Sequence, residues 1–301
     1  MHRCTITRGL KSDAALQEYV ESRLRYDYDP RRSLLTIRMP IPLHEILCAE
    51  VAGEITRQLE LVRDSAYPEA EFAKEIKPFA SSRIKLPETL DDGKIEYIIR
   101  EPDASFGHYM AQFPGVVIEI CYSQKNRDIR NLVDDYILCS EGSINAVVCI
   151  DIEYRDSKQA SVTLWRPAYN IRDGVEVFEA SPVMNQETFR TRDGEPSNIN
   201  LRLKLNDFAT IDLTKDYPGL HKHEIVISST QLCEFLSRAE LRQETQERHA
   251  GSTNSIRPGV QKRRRPVTPE SDSLSEDGPA KRGHYDDSEY LPSSSPVGLD
   301  D

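Results

Sequence analysis

The chain has 301 residues, 38% of them hydrophobic, and a formal net charge of −11. It has no run of about 18 apolar residues, so no membrane span is expected, and Met1-His2-Arg3-Cys4-Thr5 has no apolar signal-peptide core, which points to an intracellular protein. Residues 257–301 hold seven Lys/Arg and nine Asp/Glu, a net of −2 that leaves −9 on residues 1–256; an acidic body repels phosphate backbones, so any nucleic-acid partner needs a local basic groove.

In chain order, a short helix is expected near Asp13–Arg25 and a strand over Leu34–Met39, which Pro40-Ile41-Pro42 breaks. Ile46, Leu47, Val51, Ile55, Leu59 and Val62 recur at three- and four-residue steps, which predicts an amphipathic helix from Leu43 to about Arg63. Ser82–Leu86 and Ile95–Arg100 read as strands around the Asp91-Asp92-Gly93 turn. Asp103–Phe106 is a third strand, or a continuation of the second. Val116–Cys121 is β-branched and almost wholly apolar, the pattern of a central strand buried on both faces. A helix over Asp128–Ser140, ended at Glu141-Gly142, precedes a second central strand, Ala146–Ile150. Val162–Trp165, Val175–Phe178 and Leu201–Leu205 are further strands, and a last helix spans about Thr230–His249. This order implies an α/β fold with a mixed central sheet flanked by helices. The six cysteines fit no zinc spacing and read as buried reduced thiols.

Two acidic residues stand out. Asp103 heads one short strand, and Glu119 interrupts the apolar run of the next. Burying a carboxylate costs several kcal/mol unless it is paired or holds a metal, and two on neighbouring strands could share a divalent cation. The simpler alternatives are a turn aspartate at 103 and, for Glu119, an ion pair with an arginine such as Arg100 or Arg127. Glu50 and Glu54 either reach the same place from the long helix or form its solvated face. His221 and His223 make a possible metal pair or part of a surface segment.

Pro102-Asp103, Glu119, Ser123, Asp128, Tyr136 and Asp151, with the segments IRMPIPLHE, REPDASF, FPGVVIEICYSQ and VVCIDIEY, resemble the PD-(D/E)XK nuclease superfamily. The likeness is to the Uma-type restriction-endonuclease-like domain found in a large group of fungal proteins, and it covers about residues 26–210. The resemblance implies a restriction-endonuclease-like core in which Asp103 and Glu119 ligate Mg²⁺ or Mn²⁺ and a lysine assists hydrolysis of DNA or RNA phosphodiester bonds. The family's lysine position, two residues past the glutamate, holds Cys121 here, and Lys125 is the nearest substitute. On this reading residues 1–25 are an extension, 26–210 the nuclease-like domain, 211–250 a linker and helix, and 251–301 a disordered tail with added strands preceding it. Lys262, Arg263, Arg264 and Arg265 form a basic cluster suited to a nuclear import receptor. Two functions remain open: a metal-dependent nuclease with a degenerate site, or an inactive nuclease-fold protein that serves as a nuclear binding module. Oligomeric state is not readable from the sequence.

Overall fold

The computed structural model describes residues 14–39, 41–122, 126–153 and 157–248, together with Val260 and Arg263. The chain divides into two compact units, Met1–Ala250 and Gly251–Asp301, and every element described below lies in the first. Ser123, Gln124, Lys125, Lys262, Arg264 and Arg265 lie outside the described residues, as does nearly all of the expected tail; Arg263 is exposed.

Helix α1 (Ala14–Arg23) leads into a hairpin of β1 (Tyr26–Asp29) and β2 (Leu34–Ile37). The turn between them is a short 3-10 segment in which the Asp29 side chain accepts a hydrogen bond from the Arg31 amide. Helix α2 (Pro42–Arg63) starts on a proline, whose missing N–H has no intrahelical partner to lose there. Its Leu43, Leu47, Val51, Ile55 and Leu59 are buried at a four-residue step. Helix α3 (Glu69–Glu75) and strand β3 (Ile76–Pro78) follow; neither is expected from the sequence, and both are too short to show a period. Strands β4 (Ile84–Thr89) and β5 (Ile95–Arg100) form a hairpin whose turn uses Gly93 at φ +79°, a conformation glycine adopts without strain.

The chain continues through β6 (Ala104–His108), β7 (Val116–Tyr122), α4 (Asn126–Leu138) and β8 (Ala146–Ile152). Next come β9 (Ala160–Arg172), β10 (Val175–Arg190), β11 (Asn200–Lys204), α5 (Ile211–Thr214), β12 (Glu224–Ser228) and α6 (Ser229–Arg248). Strands β9 and β10 are far longer than the apolar cores at 162–165 and 175–178 suggest.

Six strands form the central sheet in the order β10-β9-β8-β7-β6-β3, with β7 and β8 parallel and the other neighbours antiparallel. The sheet is mixed and flanked by helices, as the sequence implies. Strands β4 and β5 do not extend it. They join the first hairpin in a separate four-stranded sheet, β2-β1-β5-β4, and β11 pairs only with β12. The switch between sheets falls at Glu101-Pro102-Asp103, where the proline has no N–H to give a ladder.

Alternation along β7 sorts its side chains. Val116, Ile118 and Ile120 join the core beneath α2 and α6, whereas Val117 joins a second core with Val133, Tyr136 and Ile137 of α4 and with Ile84, Leu86 and Ile98 of the smaller sheet. Glu119 has the parity of Val117 and therefore points to the α4 side. Gly115 lets β7 begin where it does: a Cβ there would lie 2.3 Å from the Phe208 carbonyl carbon. Among the described residues no helix is long and apolar enough to cross a membrane.

Candidate functional site

Asp103 and Glu119 are brought together. Ala104 pairs with Ile118 across β6 and β7, and the Asp103 amide donates to the Ile118 carbonyl at 3.1 Å. Both side chains are almost fully buried, and both reach one cation, but that cation is a guanidinium. Arg38, just past β2, places Nη1 2.8 Å from Glu119 Oε2 and 3.4 Å from Asp103 Oδ1, while its Nη2 donates to Glu119 Oε1 at 3.2 Å. Its Nε donates to Asp27 Oδ2 at 2.9 Å. The Arg38 side chain is only 5% exposed, so the pairing is dry and bidentate.

Each remaining carboxylate oxygen has its own donor. Asp103 Oδ1 takes Arg25 Nη2 at 2.6 Å, and Oδ2 takes the Ile120 amide at 2.7 Å and His44 Nε2 at 2.9 Å. Glu119 Oε1 accepts from the Tyr136 hydroxyl at 2.6 Å. His44 Nε2 also lies 3.1 Å from the Ile120 carbonyl oxygen; both neighbours are acceptors, so this nitrogen carries the proton.

The pair belongs to a wider layer of charge. Six buried carboxylates, Asp27, Asp29, Glu101, Asp103, Glu119 and Asp135, face the guanidinium groups of Arg25, Arg31, Arg38, Arg83 and Arg100. Arg100 binds Asp135, which also accepts from Arg31 at 2.6 Å. Glu101 accepts from Arg83 at 2.6 Å and from the Tyr26 amide at 3.1 Å. The first hairpin and the residues beside it thus supply Arg25, Arg31 and Arg38 to acids of the core.

The protonation behaviour follows from this packing. Burial works against the charged form of Asp103, but His44, Arg38 and Arg25 outweigh it and hold the carboxyl at about 2. Burial pushes Glu119 above the usual carboxylate range despite Arg38. Burial also opposes the charge on Arg38, yet Glu119 and Asp27 raise its affinity for the proton well above the ordinary value. Tyr136 is raised well above the usual phenol by burial and by Glu119, so it stays a hydroxyl donor. Cys121, two residues past Glu119, is a buried thiol: its hydrogen bond with Cys149 and its burial lift it well above the ordinary thiol range. It supplies no cationic charge.

The donor set does not fit a divalent cation as it stands. Every oxygen that a cation would use is taken by a nitrogen or hydroxyl donor, and Arg38 sits at the point the two carboxylates share. Among the described residues no group of three His, Cys, Asp or Glu side chains is placed to hold a metal.

Glu119 is paired with an arginine, the simpler of its two readings, but that arginine is Arg38; Arg100 serves Asp135 instead, and the Arg127 side chain lies outside those described. Glu50 pairs with Arg238 of α6, and Glu54 with Arg57, Gln58 and Gln231, so neither reaches Asp103. His223 faces Glu69 at 3.4 Å, and among the described residues neither it nor His221 belongs to a group of three side chains placed to hold a metal. The cysteines Cys48, Cys121, Cys139, Cys149 and Cys233 are free. Arg25, Arg38 and His44 are the site residues that sequence patterning does not single out, although Arg38 and His44 both lie in the segment Ile37–Glu45. No family model matches this chain, and no curated protein matches it.

Proposed function

We propose that this chain is a restriction-endonuclease-like protein of the PD-(D/E)XK type whose carboxylate pair is closed by arginine, and that it acts as a non-catalytic interaction module in the nucleus. The observation that carries this reading is the Arg38 guanidinium, held by both Asp103 and Glu119 and by Asp27. The buried thiol of Cys121 in place of a lysine supports it, and so does the net charge of −11, which disfavours a phosphate-bearing substrate. Nuclear entry rests on the basic cluster Lys262–Arg265 and an import receptor that would read it. A fluorescent protein fused to residues 255–301 should concentrate in nuclei and become diffuse when Arg263, Arg264 and Arg265 are changed to Ala.

One observation favours the rival reading, Mg²⁺- or Mn²⁺-dependent phosphodiester hydrolysis of DNA or RNA. Asp103 and Glu119 face one point rather than opposite sides of the sheet. That reading requires Arg38 to leave and Lys125, outside the described residues, to supply the missing charge.

A single set of measurements separates the two. Purified protein is incubated with labelled single- and double-stranded DNA and RNA in Mg²⁺, Mn²⁺ or EDTA, beside Asp103→Ala and Glu119→Ala, and its melting temperature is recorded in each buffer. The module reading expects no cleavage and no Mn²⁺-dependent rise in melting temperature, because a ligand that binds only the native state must raise it. Cleavage that EDTA and both substitutions abolish overturns the module reading.

A further inference from the structure

The six-stranded sheet has two outer edges, and they are treated differently. Strand β3 is three residues long and contains Pro78, so it offers almost no ladder. Strand β10 is 16 residues long, and among the described residues no strand other than β9 runs beside it. A long open edge invites pairing unless proline, lysine or bulges blunt it.

On β10 proline and bulges are confined to one half, and the other half carries only the charges of Glu176 and Glu179. Pro182 and register shifts between Pro182 and Arg190 disrupt the half nearest the body, whereas Val175–Pro182 runs in unbroken register with β9. The regular half, Val175-Glu176-Val177-Phe178-Glu179-Ala180-Ser181, contains neither proline nor lysine. Residues 169–176 are exposed on both faces of the ribbon, including Tyr169 at 69%, Ile171 at 79% and Val175 at 64%.

We infer that this half-edge pairs antiparallel with the same segment of a second copy of the chain. Charge selects the occupant and the register. Residues 166–182 carry two arginines and three acids, a net of −1, against −9 for residues 1–256, so two copies meeting at the ribbons keep their acidic bodies apart. In an antiparallel self-pair a two-fold axis passes through one residue. An axis at Glu176 or Glu179 would set like charges face to face, which is destabilising. An axis at Val177 uses only Val175–Glu179. An axis at Phe178 uses all of Val175–Ser181 and sets Val175 opposite Ser181, Glu176 opposite Ala180 and Val177 opposite Glu179. This surface is distinct from the carboxylate pair and does not depend on the function proposed above.

Sedimentation velocity on the full chain, from low to high micromolar, should show a monomer–dimer equilibrium. Val177→Glu, which faces Glu179 twice across the axis, should weaken the dimer about tenfold with an unchanged melting temperature. In a second experiment Val175→Cys and Ser181→Cys chains are treated with the shortest bis-maleimide. The mixture should give a cross-linked dimer, and either variant alone no more than the unsubstituted chain, because like positions on the two copies lie about 20 Å apart. A chain that stays monomeric throughout overturns the inference. So does a dimer indifferent to Val177→Glu, or a mixture that fails to cross-link. If Val177→Glu lowers the melting temperature, the cross-link decides alone.

Discussion

On the α2 and α6 side of the central sheet, Leu47, Val51, Ile55, Leu59, Val148, Ile150 and Leu236 pack as apolar side chains whose mutual preference is non-directional. Next to the apolar core on the α4 side, and reaching His44 of α2, lies a layer in which six carboxylates and five guanidinium groups satisfy one another through directed hydrogen bonds. The first face loses stability in proportion to the volume removed. The second fails stepwise, because removing one partner strands the others as buried charges. The region most like a catalytic site by residue type is therefore also the one least free to change.

The largest expected effect is at the hub of that layer. Arg38→Met leaves Asp27, Asp103 and Glu119 without their shared cation, and urea denaturation should show a loss of about 3–5 kcal/mol. A loss below about 1 kcal/mol would mean the pairing is incidental. Leu59→Ala on the opposite face probes the apolar side alone and should cost about 2–4 kcal/mol as a cavity opens. Its effect should add to that of a mild change in the charged layer, as distant sites do.

Acid titration gives a smaller effect of defined sign. Asp103 is depressed to about 2, so its contribution is present above the ordinary value of 3.8 and disappears as pH falls through about 2. That amounts to about 2 kcal/mol. Glu119 is raised, so it acts in the opposite direction, and stability attributable to it falls as pH climbs above the ordinary 4.5. Stability curves below pH 4 should steepen less in Asp103→Asn than in the unsubstituted chain; identical slopes would remove Asp103 from the account. The smallest effect is expected for Arg238→Ala, which breaks a half-exposed bridge to Glu50 and should cost less than about 1 kcal/mol in thermal melts.

Much of the framework is legible in the amino-acid order. The four-residue recurrence of Leu47, Val51, Ile55 and Leu59 marks α2, and the β-branched run at 116–121 marks a central strand, because burial imposes those periods on any chain that forms them. Strands β1 and β3 and helix α3 are too short to impose a period and are not legible. Nor is the sheet to which β4 and β5 belong, since a hairpin reads the same at any position in a fold.

Asp103 and Glu119 show the same division. The sequence by itself marks them as buried acids on adjoining strands that need counter-charges. It does not say which charges, and nearness along the chain points to Arg100 or Arg127. The partner is Arg38, 81 residues from Glu119. An ion pair across that separation leaves no spacing or period behind, and depends only on how the first hairpin settles against the sheet. Tertiary structure alone decides that the cation between the two carboxylates is a side chain of the protein itself.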